Sequence, residues 1–354
     1  MEYRKLGRTG LSVSAIGLGT EYLNGRPQDE VVAVVHEAID RSVNYFDVLF
    51  AGADYRDNLG AAFAGRRDRV LITGHIGCAE TDGQYRKTRD IAECEELFAD
   101  LLARLHTDHV DVLMIQFCDE EEDLRAIMAP GGMLELARRL RGEGKARAIG
   151  LSGHSVPVAL QAVQSGAFDV LMFPVNIPSH GEPGREELYE TCLRRNVGLV
   201  AMKPFAGGEL LQRKEAPTVT PVQCLAYTLS RLGLATTVPG VKSLDELRAA
   251  LAYLEACTEE KDFTPLLTAL NRGTEGHCTY CNHCLPCPAS IDIGETQRLL
   301  DSAGYGLTDE LRAAYRALPA PAGDCLECGN CEERCPFHVA IIERLREAAH
   351  LFAS

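Results

Sequence analysis

Short apolar runs alternate with amphipathic segments along residues 11–256. Eight of the runs have the length and composition of buried strands; they cover 14–19, 43–48, 69–75, 110–117, 146–153, 168–175, 197–202 and 235–240. The segments between them space their apolar residues as helices do. Eight such alternations predict a closed parallel (β/α)8 barrel. An open doubly wound sheet is the alternative, but no G-x-G-x-x-G follows the first strand, so the dinucleotide fingerprint of that fold is missing.

The alternating pattern ends near residue 257, and a cysteine-rich region follows. We therefore divide the chain into a barrel at 1–256, a helix or linker at 257–274 and a cysteine domain at 275–354. Within the cysteine domain, helical patterns at 294–304 and 307–318 separate two groups of cysteines, and another at 340–353 follows them.

Composition narrows the class of protein. The 354-residue chain has a net charge of -15, which argues against binding to nucleic acid or to anionic membranes. Its first ten residues lack the apolar region of a signal peptide, and it has no run of about 18 apolar residues that could span a bilayer. We therefore expect a cytoplasmic protein whose fourteen cysteines do not form disulfides.

Eight of those cysteines form two closely spaced runs. The first is Cys278-x2-Cys281-x2-Cys284-x2-Cys287-Pro288, and the second is Cys325-x2-Cys328-x2-Cys331-x3-Cys335-Pro336. The second run has the bacterial ferredoxin spacing, and the first is one residue shorter before its last cysteine. In runs of this kind three thiolates bind three corners of a cubane, and the fourth ligates the neighbouring cluster.

These runs predict two [4Fe–4S] clusters in a small helical two-cluster ferredoxin-like domain. The spacing assigns Cys278, Cys281, Cys284 and Cys335 to one cluster, and Cys325, Cys328, Cys331 and Cys287 to the other. Two zinc sites are the alternative, because paired C-x2-C groups also bind zinc. Two runs of four cysteines, each ending in Cys-Pro, favour clusters.

Several segments resemble the aldo-keto reductase superfamily. The family-like segments, in family order, are EYRKLGRTGLSVSAIGLGT, VNYFDV, HVDVLM, RAIGLSGHS, VGLVAMKPFAGG and VPGVKSLDEL, and they extend over about 1–256. The cysteine region, with CLPCP and ECGNCEERCP, is similar to the tail of a bacterial branch of that family. The resemblance implies an α/β (β/α)8 TIM barrel, NADPH as hydride donor, and a tetrad of Asp, Tyr, Lys and His at the ends of the barrel strands.

Only the aspartate of that tetrad matches, at Asp47. The tyrosine, lysine and histidine positions hold Gly52, His75 and Gln116, and Tyr55 lies near the tyrosine position at a different step of the loop. The lysine and histidine are what make a tyrosine a competent acid, so their loss implies an altered active site. The candidate catalytic residues are Asp47, Tyr55, His75, Gln116 and His154.

The cofactor positions also match only in part. The resemblance places Ser152 and Asn176 near a nicotinamide, and Gly240, Lys242 and Ser243 are candidates for a phosphate cradle. Other family positions at the cofactor site are replaced, by Gly153, Met172, Ala249 and Ala250, so the sequence does not predict tight NADP(H) binding. Each polar residue at the mouth also has a packing interpretation, as do Cys78 and Cys118, and the acidic run 119–123 reads as a solvated loop or helix start.

The sequence thus predicts an iron–sulfur oxidoreductase of the aldo-keto reductase type with an altered active site. It would act on a small molecule with electrons from two clusters. One alternative is a non-catalytic electron-transfer subunit whose barrel docks a redox partner such as ferredoxin. The other is an ordinary NADPH-dependent carbonyl reductase in which Tyr55 donates the proton.

Overall fold

A computed structural model describes residues 1–81, 83–212, 218–270, 276–278, 280–304 and 306–353. Its strands are β1 (Tyr3–Lys5), β2 (Ser12–Ser14), β3 (Leu18–Gly19), β4 (Tyr45–Val48), β5 (Leu71–Ile76), β6 (Cys78–Thr81), β7 (Gln84–Lys87), β8 (Val110–Ile115), β9 (Ala146–Ser152), β10 (Val170–Pro174), β11 (Gly198–Met202) and β12 (Leu234–Val238). Eight of these, in the order β3-β4-β5-β8-β9-β10-β11-β12, form one parallel sheet. They fall in the eight predicted runs, which are therefore confirmed as strands.

The sheet closes on itself as a barrel. Bridges between Ile16 and Thr237 and between Gly19 and Gly240 join its first and last strands. Inside the barrel pack Tyr45, Met114, Met172 and Val200 with smaller aliphatic residues, all buried. A larger apolar layer lies between the barrel and its helices, so the strands are covered on both faces, as their apolar composition predicts.

The helices alternate with the barrel strands and then continue into the cysteine domain. Their bounds are α1 (Gln28–Asp40), α2 (Ala53–Phe63), α3 (Ile91–Arg104), α4 (Glu121–Met128), α5 (Met133–Gly142), α6 (Val156–Ser165), α7 (Arg185–Arg194), α8 (Pro221–Leu229), α9 (Leu244–Leu251), α10 (Thr264–Leu270), α11 (Ile293–Ala303), α12 (Asp309–Arg316), α13 (Asn330–Glu333) and α14 (Ile341–Ala353). Side-chain caps fix several starts; Asp90 accepts the N–H of Glu93, and Thr220 and Gln223 form a capping box.

Two antiparallel hairpins were not predicted. The first pairs β1 with β2 below the barrel, and the second pairs β6 with β7 directly after β5. The β6–β7 hairpin escaped sequence analysis because its strands, CAET and QYRK, carry few apolar residues. Its position matters, because it leaves the carboxyl end of the barrel and reaches the cysteine domain.

The cysteine domain has an apolar core of its own. Helices α11, α12 and α14 surround Ile291, Leu299, Val339 and Leu345, which are almost fully buried, and the helical patterns at 294–304, 307–318 and 340–353 are confirmed. Tyr85, from the β6–β7 hairpin, packs against this core. Among the described residues, no helix is long and apolar enough to cross a bilayer.

Candidate active site at the barrel mouth

The predicted polar residues meet where the barrel strands end. Asp47 and His75 lie on the neighbouring strands β4 and β5, Gln116 directly follows β8, and Ser152 ends β9. Parallel strands in a barrel bring their carboxyl ends to one edge, so these side chains converge. Asp47 Oδ1 lies 2.7 Å from His75 Nε2, and both side chains are buried. The two form a fixed carboxylate–imidazole pair.

A cavity of about 80 Å³ lies above this pair. Its wall includes Asp47, His75, Gln116, Ser152 and His154. Two buried polar atoms of this group, His75 Nδ1 and Gln116 Oε1, have no hydrogen-bond partner among the described residues. Buried polar atoms are normally satisfied, so these two are available to a bound polar molecule.

Tyr55 is not part of the cavity wall. It is buried, its hydroxyl lies 2.5 Å from Thr20 Oγ1, and it accepts the N–H of Leu49 at 3.2 Å. Burial raises the pKa of this phenol. The structure therefore brings four of the five candidate catalytic residues to one cavity and leaves Tyr55 beside it, with its hydroxyl engaged.

A buried polar chain leads from the cavity to the cysteine domain. Lys203 Nζ lies 3.4 Å from His154 Nε2, and His154 Nδ1 lies 3.2 Å from Asp119 Oδ2. The same carboxylate oxygen lies 2.6 Å from Nε2 of His283. This contact is an ion pair, because its geometry does not meet the criteria of a hydrogen bond. The interpretation of 119–123 as a solvated segment is wrong for Asp119, because its side chain is buried. The carboxylate also accepts hydrogen bonds from the N–H groups of His154 and Ser155.

Charge and burial set the protonation of this chain. Burial would raise the pKa of Asp119, but His154 and His283 hold it well below its usual value. Burial lowers the pKa of His154 more than Asp119 raises it. Burial would also lower the pKa of His283, but the charges of Cys281 and Asp119 raise it to about 10. A carboxylate between two imidazoles thus joins the barrel to the cysteine loops.

The two cysteine runs adopt the same local backbone. Left-handed residues follow the same steps in both, at Tyr280 and Asn282 in the first and at Glu327 and Gly329 in the second. In each run the N–H two residues after the first cysteine points to its sulfur, from Tyr280 to Cys278 and from Glu327 to Cys325, both at 3.4 Å. Such N–H···S contacts are typical of thiolates that ligate iron–sulfur clusters.

Electrostatic coupling shows which thiols are neighbours. Burial and the adjacent Cys281 raise the pKa of Cys278 to about 12. Burial, together with Cys281, Cys278, Cys335 and Cys331, raises the pKa of Cys284. Cys331 is likewise coupled to Cys325. Burial and the neighbouring sulfurs disfavour thiolates in this place, and the positive charge of bound iron would offset that cost, so the set fits an iron–sulfur cluster.

The first cysteine run also reaches the barrel. Cys281 and its neighbours Tyr280 and Asn282 lie in the wall of the mouth cavity, opposite Asp47 and His75. The cysteine domain therefore forms the roof of the cavity. A thiol that the spacing assigns to a cluster is in contact with the space where a ligand would bind.

A second cleft, of about 290 Å³, opens beside the cavity at the ends of β11 and β12. The expected phosphate cradle lies here, but its groups are engaged. The Tyr22 ring covers Gly240, since a Cβ there would lie 2.6 Å from Cδ2 of Tyr22. Glu246 accepts the N–H of Lys242 at 2.7 Å, and Ser243 Oγ accepts the N–H of Glu246 as the cap of α9.

The remaining predicted cofactor residues divide between the two spaces. Ser152 lines the mouth cavity. The side chain of Asn176 stabilises its own turn. Its amide oxygen accepts hydrogen bonds from the N–H and the hydroxyl of Ser179, and its NH2 group donates to the carbonyl oxygen of Lys203 at 3.2 Å. The structure therefore does not bring Asn176 to a free position in either cavity wall.

Two family profiles match the two parts of the chain. A sequence profile of the aldo/keto reductase family matches residues 15–223, more than half of the chain. The chain belongs to this family. A 4Fe-4S dicluster domain profile matches 277–340, so the protein is an oxidoreductase of the aldo-keto reductase type that carries iron–sulfur clusters.

Several proteins are similar over most of the barrel. L-galactose dehydrogenase from Arabidopsis thaliana is 25% identical in an alignment of 301 positions that covers 72% of this chain and 90% of the relative. The oxidoreductase YqkF of Bacillus subtilis (strain 168) is 24% identical and covers 74% of this chain and 94% of its own. The solved aldo-keto reductase AKR11C1 from Bacillus halodurans, in its holo form, has a TM-score of 0.64 at 23% identity, covering 75% of this chain and 96% of that one, which establishes the fold.

Gly52, which the sequence resemblance places at the tyrosine position, is the residue that precedes α2. A Cβ there would lie 3.1 Å from Glu80 Oε2 on the β6–β7 hairpin, so the hairpin occupies the space beside the missing tyrosine. Sequence analysis missed the residues that act across the two domains, namely Asp119, Lys203, His283 and Tyr85. A histidine inside a cysteine run, at 283, was the one signal in the sequence that pointed to such a link.

Proposed function

We propose that this protein reduces a small polar molecule, of the carbonyl class, in the cavity at the barrel mouth, with electrons supplied singly by two [4Fe–4S] clusters. The observation that carries the proposal is the position of Cys281. It lies in the cavity wall with Asp47 and His75. A ligand in the cavity would therefore lie next to a thiolate of the nearer cluster, and electron transfer would need no mobile carrier.

The ligands proposed for the nearer cluster are Cys278, Cys281, Cys284 and Cys335. The coupling of Cys284 to the other three and of Cys335 to Cys281 supports this set, although Cys284 is also coupled to Cys331 of the second set. The ligands proposed for the second cluster are Cys325, Cys328, Cys331 and Cys287, and the coupling of Cys331 to Cys325 agrees. When bound, the clusters supply one electron at a time at low potential.

The barrel residues would bind and orient the ligand. A cavity of about 80 Å³ has room for roughly half a dozen water-sized groups, which limits the ligand to a few heavy atoms. Gln116 Oε1 and His75 Nδ1 offer hydrogen-bonding atoms to such a ligand. Asp47 fixes the His75 ring by the contact at Nε2, so the Nδ1 edge is held in place.

The cleft fits NADP(H) poorly, which argues against the ordinary carbonyl-reductase alternative. The Lys242 amide that would bind phosphate is taken by Glu246, and that carboxylate lines the same cleft. A phosphate placed there would meet the Glu246 carboxylate instead of a free N–H, although Lys203, Lys242 and Arg298 also line the cleft. We therefore propose that electrons do not come from a nicotinamide bound in this cleft.

Electrons would instead enter at the far side of the cysteine domain. Cys328 is exposed there, and the adjacent Leu326 is 67% exposed, the most exposed large apolar residue described. We propose that a one-electron donor protein such as ferredoxin docks at this edge. The alternative of a purely electron-transferring subunit shares this edge but leaves the mouth cavity without a role.

The test uses protein purified without oxygen and checked for iron. Reduced methyl viologen is mixed with the protein and small carbonyl compounds such as hydroxyacetone, and its colour loss is followed; NADPH replaces viologen in a parallel series. We expect turnover with viologen and none with NADPH. Saturable NADPH oxidation would restore the ordinary reductase, and electron exchange with ferredoxin without any carbonyl turnover would favour the subunit alternative.

A further inference from the structure

The mouth cavity holds a phenol that sequence analysis did not identify. Tyr85, on strand β7, lines the cavity together with Asp47 and His75. Its hydroxyl oxygen is buried and has no hydrogen-bond partner among the described residues. A buried, unpaired hydroxyl loses its bonds to water without replacement, so a group of this kind needs a ligand to explain it.

Aromatic packing fixes the Tyr85 ring. Its centroid lies 4.6 Å from that of Phe50 and 6.4 Å from that of Phe117, both of which also line the cavity. The ring packs against the core of the cysteine domain on its other side. Packing from two domains holds the ring in one place, and the hydroxyl is the part of it left without a protein partner.

The hairpin itself is tied to the cysteine domain. The side chain of Gln84, next to Tyr85, accepts the N–H of Cys287 at 2.9 Å and donates to the carbonyl oxygen of Cys287 at 3.3 Å. This two-way contact sets the height of β7 above the barrel. The cysteine domain therefore positions Tyr85 over the cavity.

The hairpin also stands at the position where the family carries its tyrosine. Glu80 lies against Gly52, and Glu80 is the cross-strand partner of Tyr85. The chain thus lacks a tyrosine at 52 but presents one from the strand beside the residue that covers 52. Tyr55, which is nearer in sequence, is engaged with Thr20 and Leu49 instead.

We propose that Tyr85 is the catalytic acid of the mouth cavity, donating a hydrogen bond and then a proton to an oxygen atom of the ligand. This rests on the proposed function for its electrons, which the one-electron donor supplies through the clusters. Reduction of the carbonyl to an alcohol takes two electrons from the one-electron donor and two protons. The O–H bond of Tyr85 breaks as an O–H bond forms on the ligand, a proton from water forms the C–H bond, and the phenolate regains its proton from a second water, so that two hydroxide ions are released. Burial raises the pKa of Tyr85, so the phenol gives up its proton only to a strongly basic oxygen, such as the one that electron transfer to a carbonyl creates.

The first test is structural and independent of turnover. Crystals of the oxidised holoprotein are soaked in hydroxyacetone. A hydroxyacetone oxygen within hydrogen-bond distance of Tyr85 Oη supports the proposal. It is overturned by hydroxyacetone bound with its oxygens on other groups, by a cavity that takes up none, or by a Tyr85 phenol that turns to a protein acceptor.

The second test is kinetic, in the viologen assay. Tyr85→Phe should lower kcat/KM for hydroxyacetone by about 100-fold or more, as removal of a general acid does. Tyr189→Phe is the control, because it removes the hydroxyl of a buried tyrosine on α7 that does not line the cavity. Loss of activity in Tyr55→Phe with full activity in Tyr85→Phe would overturn the proposal. A wild-type protein inactive on all carbonyls would contradict the proposed function, while the soaked crystals would still judge Tyr85.

Discussion

Nε2 of His283 lies 2.6 Å from Oδ2 of Asp119, and this buried contact joins the cysteine domain to the barrel. Asp119 follows the barrel strand β8, whereas His283 lies between Cys281 and Cys284. The carboxylate also accepts the N–H groups that begin the turn into α6. One side chain thus shapes the barrel mouth and receives the loop that carries the cysteines.

Replacing Asp119 with Asn should destabilise the protein. The substitution leaves the protonated His283 buried without its counter-charge and weakens the contact of the carboxylate with the neutral His154, and the loss of such a buried partner costs about 3 kcal/mol. Anaerobic urea unfolding of the holoprotein measures the change. Asp108→Asn is the control, because it removes an exposed carboxylate that also contacts a histidine, and it should change stability by less than about 0.5 kcal/mol. Equal effects in the two variants would contradict a bridging role for Asp119.

The same pair predicts a direction of pH dependence. Because the pKa of Asp119 is held below its usual value in the folded protein, its contribution is present above about pH 4 and is lost as the pH falls through the folded pKa. The charged groups that face it are His154 and His283, with Lys203 behind His154. The Asn variant should show a shallower loss of stability on acidification, and an unchanged slope would mean that other carboxylates set it.

The periodicity of the chain was sufficient to predict the barrel. Each barrel strand is a buried apolar run, and such runs leave a clear signal because both faces of the strand are covered. The β6–β7 hairpin gave no such signal, since its polar strands are stabilised by contacts with the cysteine domain. Contacts of this kind depend on tertiary placement, which local patterns do not encode.

The candidate site was predictable where a strand end fixes it. Asp47, His75 and Gln116 follow from the barrel register and do meet. Tyr55, a candidate because it is close in sequence to position 52, lies beside the cavity with its hydroxyl against Thr20. Tyr85 could not be found this way, because it reaches the cavity from an unpredicted hairpin.

Crossed ligation of the clusters predicts which cysteines fail together. Cys335→Ala should remove the cluster next to the cavity, although Cys335 lies in the second run, because Cys335 is coupled electrostatically to both Cys281 and Cys284. Iron should fall from about eight to about four atoms per chain, and carbonyl turnover should stop. Cys287→Ala should instead remove the second cluster, and it should therefore block the entry of electrons from ferredoxin.

Cys257→Ala is the control for both variants, because it removes an exposed cysteine outside both runs. That control should keep its full iron content. Iron analysis and electron paramagnetic resonance of the reduced proteins identify which cluster remains. If Cys335→Ala abolished the cluster held by Cys325 and Cys328, each run would bind its own cluster and the crossed assignment would be wrong.

The position of Glu246 leads to a prediction about the affinity of the cleft for NADPH. In the wild-type protein its carboxylate takes the Lys242 amide and adds negative charge to the cleft, so binding should be weak. Glu246→Gln should tighten NADPH binding by about tenfold, as expected for removal of a nearby like charge. Nicotinamide fluorescence measures binding, and Asp245→Asn, at an almost fully exposed carboxylate one residue away, is the control. Tight wild-type binding that Glu246→Gln does not improve would mean that the cleft accepts the dinucleotide as it stands.

Replacement of His75 should lower the activity of a protein that still folds. His75→Ala removes both the imidazole edge that faces the cavity and the contact with Asp47 at 2.7 Å, so kcat/KM in the viologen assay should fall by about 100-fold. His75→Asn keeps a side-chain amide near Asp47, and it should recover stability but not turnover. His109→Ala, at a partly exposed histidine paired to Asp108, should leave both unchanged. If His75→Ala turned over at the wild-type rate, His75 would be a packing residue that fills the space of the lost lysine, and the acid–base work of the cavity would rest on Tyr85 alone.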